Sequence, residues 1–420
     1  MVKPLIDFLR EVPDPRCKRK KKHDYAEILM LVIIGFLAGK QSLRRIRRFC
    51  RKNKKTLKRQ LKLKGEIPSI STFSRVLSST DTTLLTCAFM NWIGGILDTR
   101  GIHIIIDGKA LRAATERLKD KKAPYILNAI DQATKLVIAQ LDIPEKANEM
   151  TAIPEMIEML DITGSTITID AIGATSKILN LINEKSGFFV QQIKKNCPAT
   201  YQEIEDLFEG LAQDEKQDPE SFMKEYKDCY SCTTSNEINR DRYEYRTMKA
   251  YHGDKMIQKI RDDIPCIKCV GQSVQVRIPK EVDENGMDIT PSKTDFLKNG
   301  SRRCPVPKEG DQLMDHIQRV GIISNKECDA EELAHYKRSH WAIENSLHHV
   351  LDEDFLEDKC PAKKSKVTLS ILRKFAYNII RLILMRNPDE NISIIEMMDD
   401  IGSDLELAEE YLFESIPSLY

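Results

Sequence analysis

Two textures of hydrophobic patterning divide the chain near residue 100. Up to about residue 98 the apolar residues recur at helical spacing, and after Gly101 they form short β-branched runs. LIDFLREV (5–12) reads as a first helix that stops at Pro13-Asp14-Pro15. A second runs from Asp24 to about Gly39 through ILMLVIIGFLAG (28–39), the longest apolar run, which is too short to span a bilayer and reads as a buried core helix. SLRRIRRFCRKNKKTLKRQL (42–61) carries Leu43, Ile46 and Phe49 at helical spacing, and another helix is expected near Ser71, where a small hydroxyl residue can cap it.

Beyond Gly101, HIIID (103–107), YILNAID (125–131) and KLVIAQLDI (135–143) are strand candidates, and the short link Gln132-Ala133-Thr134 makes the last two a hairpin. A helix at about 151–160, the strand STITIDA (165–171), a helix at about 175–185 and the strand GFFVQQIKK (187–195) follow. Three strands, helix, strand, helix, strand is the order of a ribonuclease H-like sheet. There, a right-handed crossover lays the fourth strand parallel beside the first. Residues 198–327 are polar and long-looped, with RYEYR (242–246) as their one clear strand, and they read as an insertion. Helices at about 329–350 and 366–386 complete the core. The expected fold class is α/β: a ribonuclease H-like mixed sheet with flanking helices, an insertion containing strands, and an N-terminal helical domain. The expected domains are 1–98, a core of 99–197 with 328–386, the insertion 198–327, and a tail 387–420.

Charge changes this picture more than composition does. The net charge of +1 conceals a basic head, with 21 Lys/Arg against 6 Asp/Glu in residues 1–70, and a tail after Arg386 with ten acids and no Lys or Arg. Twelve Lys/Arg lie in 44–64 with no acid among them, the footprint of a phosphate-backbone binder. The acidic tail reads as a regulatory or interaction segment that could compete with DNA for the basic head. The N-terminus is interrupted by acids and prolines before any apolar region forms, so no secretory signal is expected. Eleven cysteines at irregular spacing read as reduced thiols in a cytoplasm. Two pairs, Cys229/Cys232 and Cys266/Cys269, have zinc-site spacing, but neither has a knuckle glycine, and they read as ordinary buried thiols.

Three carboxylates carry the candidate chemistry. Asp107 and Asp170 both end apolar β-branched runs, and neighbouring first and fourth strands would set them side by side. Two such carboxylates repel unless a cation sits between them, which suits Mg²⁺ or Mn²⁺. Glu344 is the third, in SHWAIENSLHHVLDEDF, where His340, Glu344 and His348 would form a helical stripe with Trp341 and Lys337 on the same side. An Asp ending a strand more often caps a turn, and a helical Glu is usually solvated, so the order of the three weighs more than any one.

The chain resembles the transposases of the H-repeat-associated (ISAs-type) insertion-sequence family, a branch of the DDE transposases. The resemblance covers most of residues 5–386. It rests on VPDPR (12–16), PSISTFSRVL (68–77), IDGKALR (106–112), NEMTAIPEMIEMLDITGSTITIDAIGA (148–174), RYEYR, and above all HWAIENSLHHVLDEDFLED (340–358). It implies that Asp107, Asp170 and Glu344 are the catalytic triad and hold two Mg²⁺ or Mn²⁺ ions. It also implies metal-dependent cleavage and strand transfer on double-stranded DNA, at transposon ends and target. A homodimer in the active complex and a bacterial cytoplasm, at the nucleoid when bound to DNA, are further expectations, with no membrane partner.

Supporting DNA contacts are expected from Lys109 and Arg112 after the first Asp, from Lys194 and Lys195 after the fifth strand, and from Arg242 and Arg246 on one face of RYEYR. His340, Trp341 and Asn345 flank the Glu, and Arg44, Arg45, Arg47 and Arg48 belong to the basic helix. A catalytically inactive DNA-binding relic and a ribonuclease H-like nuclease without strand transfer are the alternatives.

Overall fold

The computed structural model describes residues 1–17, 21–61, 63, 65–111, 124–143, 149–171, 175–238, 242–253, 257, 260–262, 264–280, 283–285, 287, 317–362, 364–386, 388 and 391–419. They form two compact units, 1–165 with 341–420, and 166–340. This division differs from the expected one, since the Glu344 segment returns to the unit that holds the basic head.

In the first unit six helices precede any strand: α1 (Leu5–Glu11), α2 (Tyr25–Leu37), α3 (Leu43–Lys52), α4 (Lys54–Leu61), α5 (Ile70–Ser79) and α6 (Thr82–Ile96). Side-chain caps start four of them, with Asp24, Ser42, Ser69 and Asp81 each accepting from a backbone amide of the first turn. The basic stretch is two helices rather than one. It breaks at Asn53, whose backbone and side-chain amides both donate to the Phe49 carbonyl. The apolar run of α2 is buried nearly all round, as its pattern requires.

Strands β1 (His103–Ala110), β2 (Tyr125–Asp131) and β3 (Val137–Ile143) are antiparallel in the order β3-β2-β1, with Asp107 opposite Asn128 and Lys109 opposite Ile126. Every residue of β2 is buried. Asp131 is the turn residue that a strand-ending Asp usually is: its carboxylate accepts from the Thr134 amide at 2.8 Å and hydroxyl at 2.6 Å. A helix, α7 (Glu149–Met159), packs on β2 and β3.

The last elements of this unit follow residue 340. They are a π-helical turn (Glu344–His348), α12 (His349–Glu353), the 21-residue α13 (Lys366–Arg386), α14 (Ile394–Ser403), a 3₁₀ turn (Leu405–Ala408) and α15 (Glu409–Phe413). Helix α13 packs against α2 and α6. Its Asn378 finishes the β3 edge, accepting from the Val137 amide at 2.9 Å and donating to the Val137 carbonyl at 2.8 Å. The acidic tail is part of this fold. Met397, Met398, Ile401, Leu405, Tyr411 and Leu412 are buried, and Ile416 exchanges backbone hydrogen bonds with Val2. Its acids line the outside. One, Glu406, lies 3.7 Å from Arg59 of α4, an exposed pair of small energetic weight.

The second unit runs β4 (Thr166–Ile169), α8 (Ser176–Glu184), β5 (Phe188–Ile193), α9 (Pro198–Gln217), α10 (Pro219–Tyr226), β6 (Tyr230–Ile238), β7 (Arg242–Tyr251), β8 (Cys269–Pro279), β9 (Ile317–Ser324) and α11 (Ala330–Ser339). The strand order is β4-β5-β9-β8-β7-β6, with β4 and β5 parallel and the remaining pairs antiparallel. The described residues of 198–327 include a 20-residue helix and four strands, more regular structure than their polarity suggests, and β9 pairs directly with β5, Val190 opposite Ser324. Cys269 is buried with Val190, Met248, Ala250, Ile322 and Leu333, while Cys232 is exposed. None of the described helices is long and apolar enough to cross a membrane.

Docking of the tail makes it a stability element. Ile401→Ala, a cut into a fully buried side chain, should lower the unfolding free energy by about 2–5 kcal/mol, read from denaturant titration of the full chain.

Candidate active site

Strand β1 delivers Asp107 and Lys109 to the same face of the sheet, two residues apart. Gly108 between them points the other way, where the Tyr125 ring occupies the space that a Cβ would need. The Asp107 carboxylate faces the His348 imidazole, with 3.6 Å between Oδ2 and Nδ1. Burial, then the Lys109 and Lys374 ammoniums, push His348 down to about 3, so it is neutral at pH 7. Lys109 is buried at 8% exposure, with its Nζ 2.5 Å from Asp352 Oδ1 and 3.2 Å from Glu357 Oε2. Its ammonium is committed inside the protein and does not present itself to a DNA strand. Arg112 lies outside the described residues.

Glu344 opens the π-helical turn, in which the His349 amide donates to the Glu344 carbonyl, five residues back. The expected single helix over 329–350 is therefore interrupted, first after Ser339 and again by this wider turn. A turn closed at i→i+5 carries one residue more than an α-turn, so the i, i+4, i+8 stripe of His340, Glu344 and His348 does not hold. Instead Ile343, Leu347 and Leu351 are buried, His348 turns inward, and Glu344 and Asn345 face solvent. Trp341 is 53% exposed and is not part of the core.

In the second unit Asp170 follows β4, with its side chain half exposed. Its Oδ1 accepts from the Ala171 amide at 2.7 Å and from Lys194 Nζ at 3.2 Å. Partial burial pushes its carboxyl up, but that amide and the Lys194 ammonium outweigh it and hold the group below the usual carboxylate range. His340, at the end of α11, lies 3.3 Å from the Thr168 hydroxyl, and burial pushes its imidazole down to about 4. Asp170, Lys194 and His340 thus converge, while Lys195 is exposed beyond them.

Further along this face of the sheet stands a cluster that the sequence showed only in outline. Arg242 and Arg246 of β7 flank the buried Glu244, with Arg242 Nε 2.5 Å from Glu244 Oε1 and a second contact from Arg246. Arg277 of β8 approaches the same carboxylate at 3.7 Å. Burial pushes Glu244 up, but the three guanidiniums outweigh it and keep it ionised. Lys337 of α11 sits within their field. Burial first, then Arg246, Lys194 and Arg277, push its ammonium down to about 8. Arg277, Lys337 and the Glu244 buttress were missed. The available signal was the alternation of RYEYR, whose Tyr243 and Tyr245 pack with Val276 and Ile278 and so turn the charges to the opposite face.

On the basic helix α3, Arg44, Arg45 and Arg48 are exposed, whereas Arg47 is part-buried and donates from Nε to the Pro68 carbonyl at 3.1 Å. Among the described residues no three His, Cys, Asp or Glu side chains stand close enough together to hold a metal ion.

A family model described as "Transposase DDE domain" matches residues 98–379, and a model of the domain associated with it matches residues 6–93. YncI of Escherichia coli O157:H7 is 28% identical over 389 residues, covering 90% of this chain and 88% of that protein. The H repeat-associated YhhI of Escherichia coli K12 is 26% identical over 388 residues, 90% of each. Both carry the word transposase in their names. A cryo-EM structure of the piggyBac transposase synaptic complex with hairpin DNA aligns with 97% of this chain and 78% of its own. Its TM-score of 0.39 and 11% identity are too low to support a conclusion.

Because Lys337 has a folded-state pKa near 8 and an unfolded value near 10.4, the unfolded chain binds more protons between those values. Stability therefore rises with pH across that window. Lys337→Met should melt higher than the wild type at pH 7 and show less of that rise, measured by thermal unfolding from pH 7 to 10.5.

Proposed function

This chain belongs to the DDE transposases, in their H-repeat-associated branch, and from that premise we propose that it cuts and joins DNA phosphodiesters at the ends of an insertion sequence, with Asp107, Asp170 and Glu344 as its catalytic carboxylates. The observation that carries the assignment is their setting inside the matched domain. Asp107 lies within β1 after its buried isoleucines, Asp170 directly follows β4, and Glu344 opens a π-helical turn, a distortion that costs helix regularity and recurs at functional positions.

The donor chemistry fits Mg²⁺ or Mn²⁺, with two ions in the active state. All three groups are hard oxygen donors; Asp170 is held ionised beside an ammonium, and Asp107 faces a neutral imidazole that does not compete as a cation. When bound, the ions would supply Lewis-acid activation of the attacking oxygen and neutralise charge at the phosphate. The protein's own part is placement. Lys194 keeps Asp170 charged until phosphate and metal arrive, and then offers its ammonium to the phosphate. Neutral His340 orients through Thr168. Exposed Trp341 offers a stacking surface to an unpaired base, and Asn345 a hydrogen bond beside it.

Double-stranded DNA, at transposon ends and target, is the partner. Arg242, Arg246 and Lys195 meet its backbone from the second unit, and Arg44, Arg45 and Arg48 from α3, with Arg47 braced against Pro68. These contacts set affinity and register rather than sequence. A homodimer in the active complex and a cytoplasmic setting complete the proposal.

Asp107→Asn, Asp170→Asn and Glu344→Gln should each cut Mg²⁺-dependent cleavage of end DNA by at least about 10²–10³-fold, with DNA binding retained. Wild-type protein that binds DNA but never cuts would instead be an inactive relic, and cutting without joining would make it a nuclease. Arg242→Ala and Arg246→Ala should each lower the slope of log affinity against log salt by about 1, read by titration at several salt concentrations.

A further inference from the structure

We propose that Lys109, Asp352 and Glu357 form a positioning lock that fixes strand β1, and with it Asp107, in register against the segment carrying Glu344. The inference rests on the transposase reading of those two carboxylates and assigns Lys109 a different task from the DNA contact that its place in IDGK suggests.

The Lys109 ammonium has three protons and meets three acceptors: Asp352 Oδ1 at 2.5 Å, Glu357 Oε2 at 3.2 Å and the His348 carbonyl at 3.4 Å. All three lie in residues 348–357, directly after Glu344. Glu357 is 1% exposed. Its backbone turns in through Leu356, which adopts a left-handed φ of 47° that a leucine rarely takes, and its amide donates to the Leu351 carbonyl at 2.8 Å. Lys374 and Arg373, buried on α13, add positive charge beside it. A second tie comes from α13, whose Tyr377 hydroxyl lies 2.9 Å from the Ser346 carbonyl inside the π-helical turn.

Buried ion pairs contribute little to stability beyond what apolar side chains of the same volume would, because desolvation offsets their attraction. Leu347, Leu351 and Phe355 already hold the segment to the core. Apolar contacts tolerate a slip of the segment along the strand, whereas a slip would part the Lys109 ammonium from Asp352, Glu357 and the His348 carbonyl. The charges therefore specify register. The same segment also orients Asp107. The Asn128 side-chain amide lies 3.4 Å from His348 Nε2, and as donor it leaves the imidazole proton on Nδ1, toward Asp107 Oδ2.

The test compares full-length Lys109→Met, Asp352→Asn and Glu357→Gln with Ile401→Ala, a destabilising change in the tail, at a temperature where all are folded by circular dichroism. Three quantities are measured: Mn²⁺ binding to DNA-free protein by electron paramagnetic resonance, single-turnover cleavage with DNA affinity measured separately, and amide hydrogen exchange over residues 343–353. In the lock variants Mn²⁺ affinity and cleavage should fall by about 10- to 100-fold and exchange over 343–353 should quicken, with DNA affinity unchanged. Ile401→Ala should lower only the melting temperature. Folded lock variants that bind Mn²⁺, cut and exchange as the wild type does would overturn the proposal, leaving a merely structural cluster. Weaker DNA binding with a shallower salt slope in Lys109→Met would overturn it in favour of a DNA contact. If Lys109→Met does not fold, the two near-isosteric carboxylate variants decide by the same criteria. Failure of the wild type to bind Mn²⁺ or cut would count against the transposase reading, while the exchange measurement still decides the lock.

Discussion

Charge placed on or beside a buried strand has to be met, and Asp131, Asp170, Asp107 and Lys109 are met by different devices. Asp131 is satisfied by the amide and hydroxyl of its own turn. Asp170 is held ionised by the Ala171 amide and the Lys194 ammonium. Asp107 faces a neutral imidazole, and Lys109, one step further along the same face, is enclosed by two carboxylates. Of these carboxylates, Asp170 is half exposed and is held below the usual carboxylate range by the Ala171 amide and the Lys194 ammonium.

The first unit carries Asp107 on β1 and Glu344 at the π-helical turn, and Lys109 of β1 meets Asp352 and Glu357 in the segment after Glu344. The second unit carries Asp170 after β4 and a sheet face on which Arg242, Arg246 and Arg277 surround a buried glutamate. Glu244 cancels one of those charges yet spaces the others. Fixed guanidiniums lose less side-chain freedom on meeting a phosphate than free ones do. The depressed Lys337 reports how closely the positive charges are packed there.

Much of the fold was legible because its signals are local. HIIID, YILNAID and KLVIAQLDI are apolar on both faces and became β1 to β3, a helix begins after Asp24 as expected, and the cap expected near Ser71 is Ser69, two residues earlier. The failures have non-local causes. The strand β6 was not legible because its sequence, YSCTTSNEI, is polar and its order comes from pairing with β7 along its whole length. The π-helical turn was invisible because an i→i+5 slip is imposed by what the segment packs against, here Tyr377 and Lys109. The acidic tail read as a regulatory or interaction segment because its acids hide, in sequence, the apolar residues Met397, Met398, Ile401, Leu405, Tyr411 and Leu412 that dock it. Candidate chemistry was legible as residue types, in Asp107, Asp170 and Glu344. Glu357 and Asp352, which meet Lys109, and Glu244, which meets the guanidiniums of β7 and β8, look in sequence like any surface acid, and only the structure distinguishes them.

The most direct measurement of the central claim, that these three carboxylates hold divalent metal together, is cleavage of the protein's own backbone by iron(II) and ascorbate in place of Mg²⁺. Hydroxyl radicals made at the bound ion cut only the chain around it. The expected result is cuts next to Asp107, Asp170 and Glu344 in the same preparation, suppressed by excess Mg²⁺. Cuts beside only one of them, or none that Mg²⁺ suppresses, would contradict it.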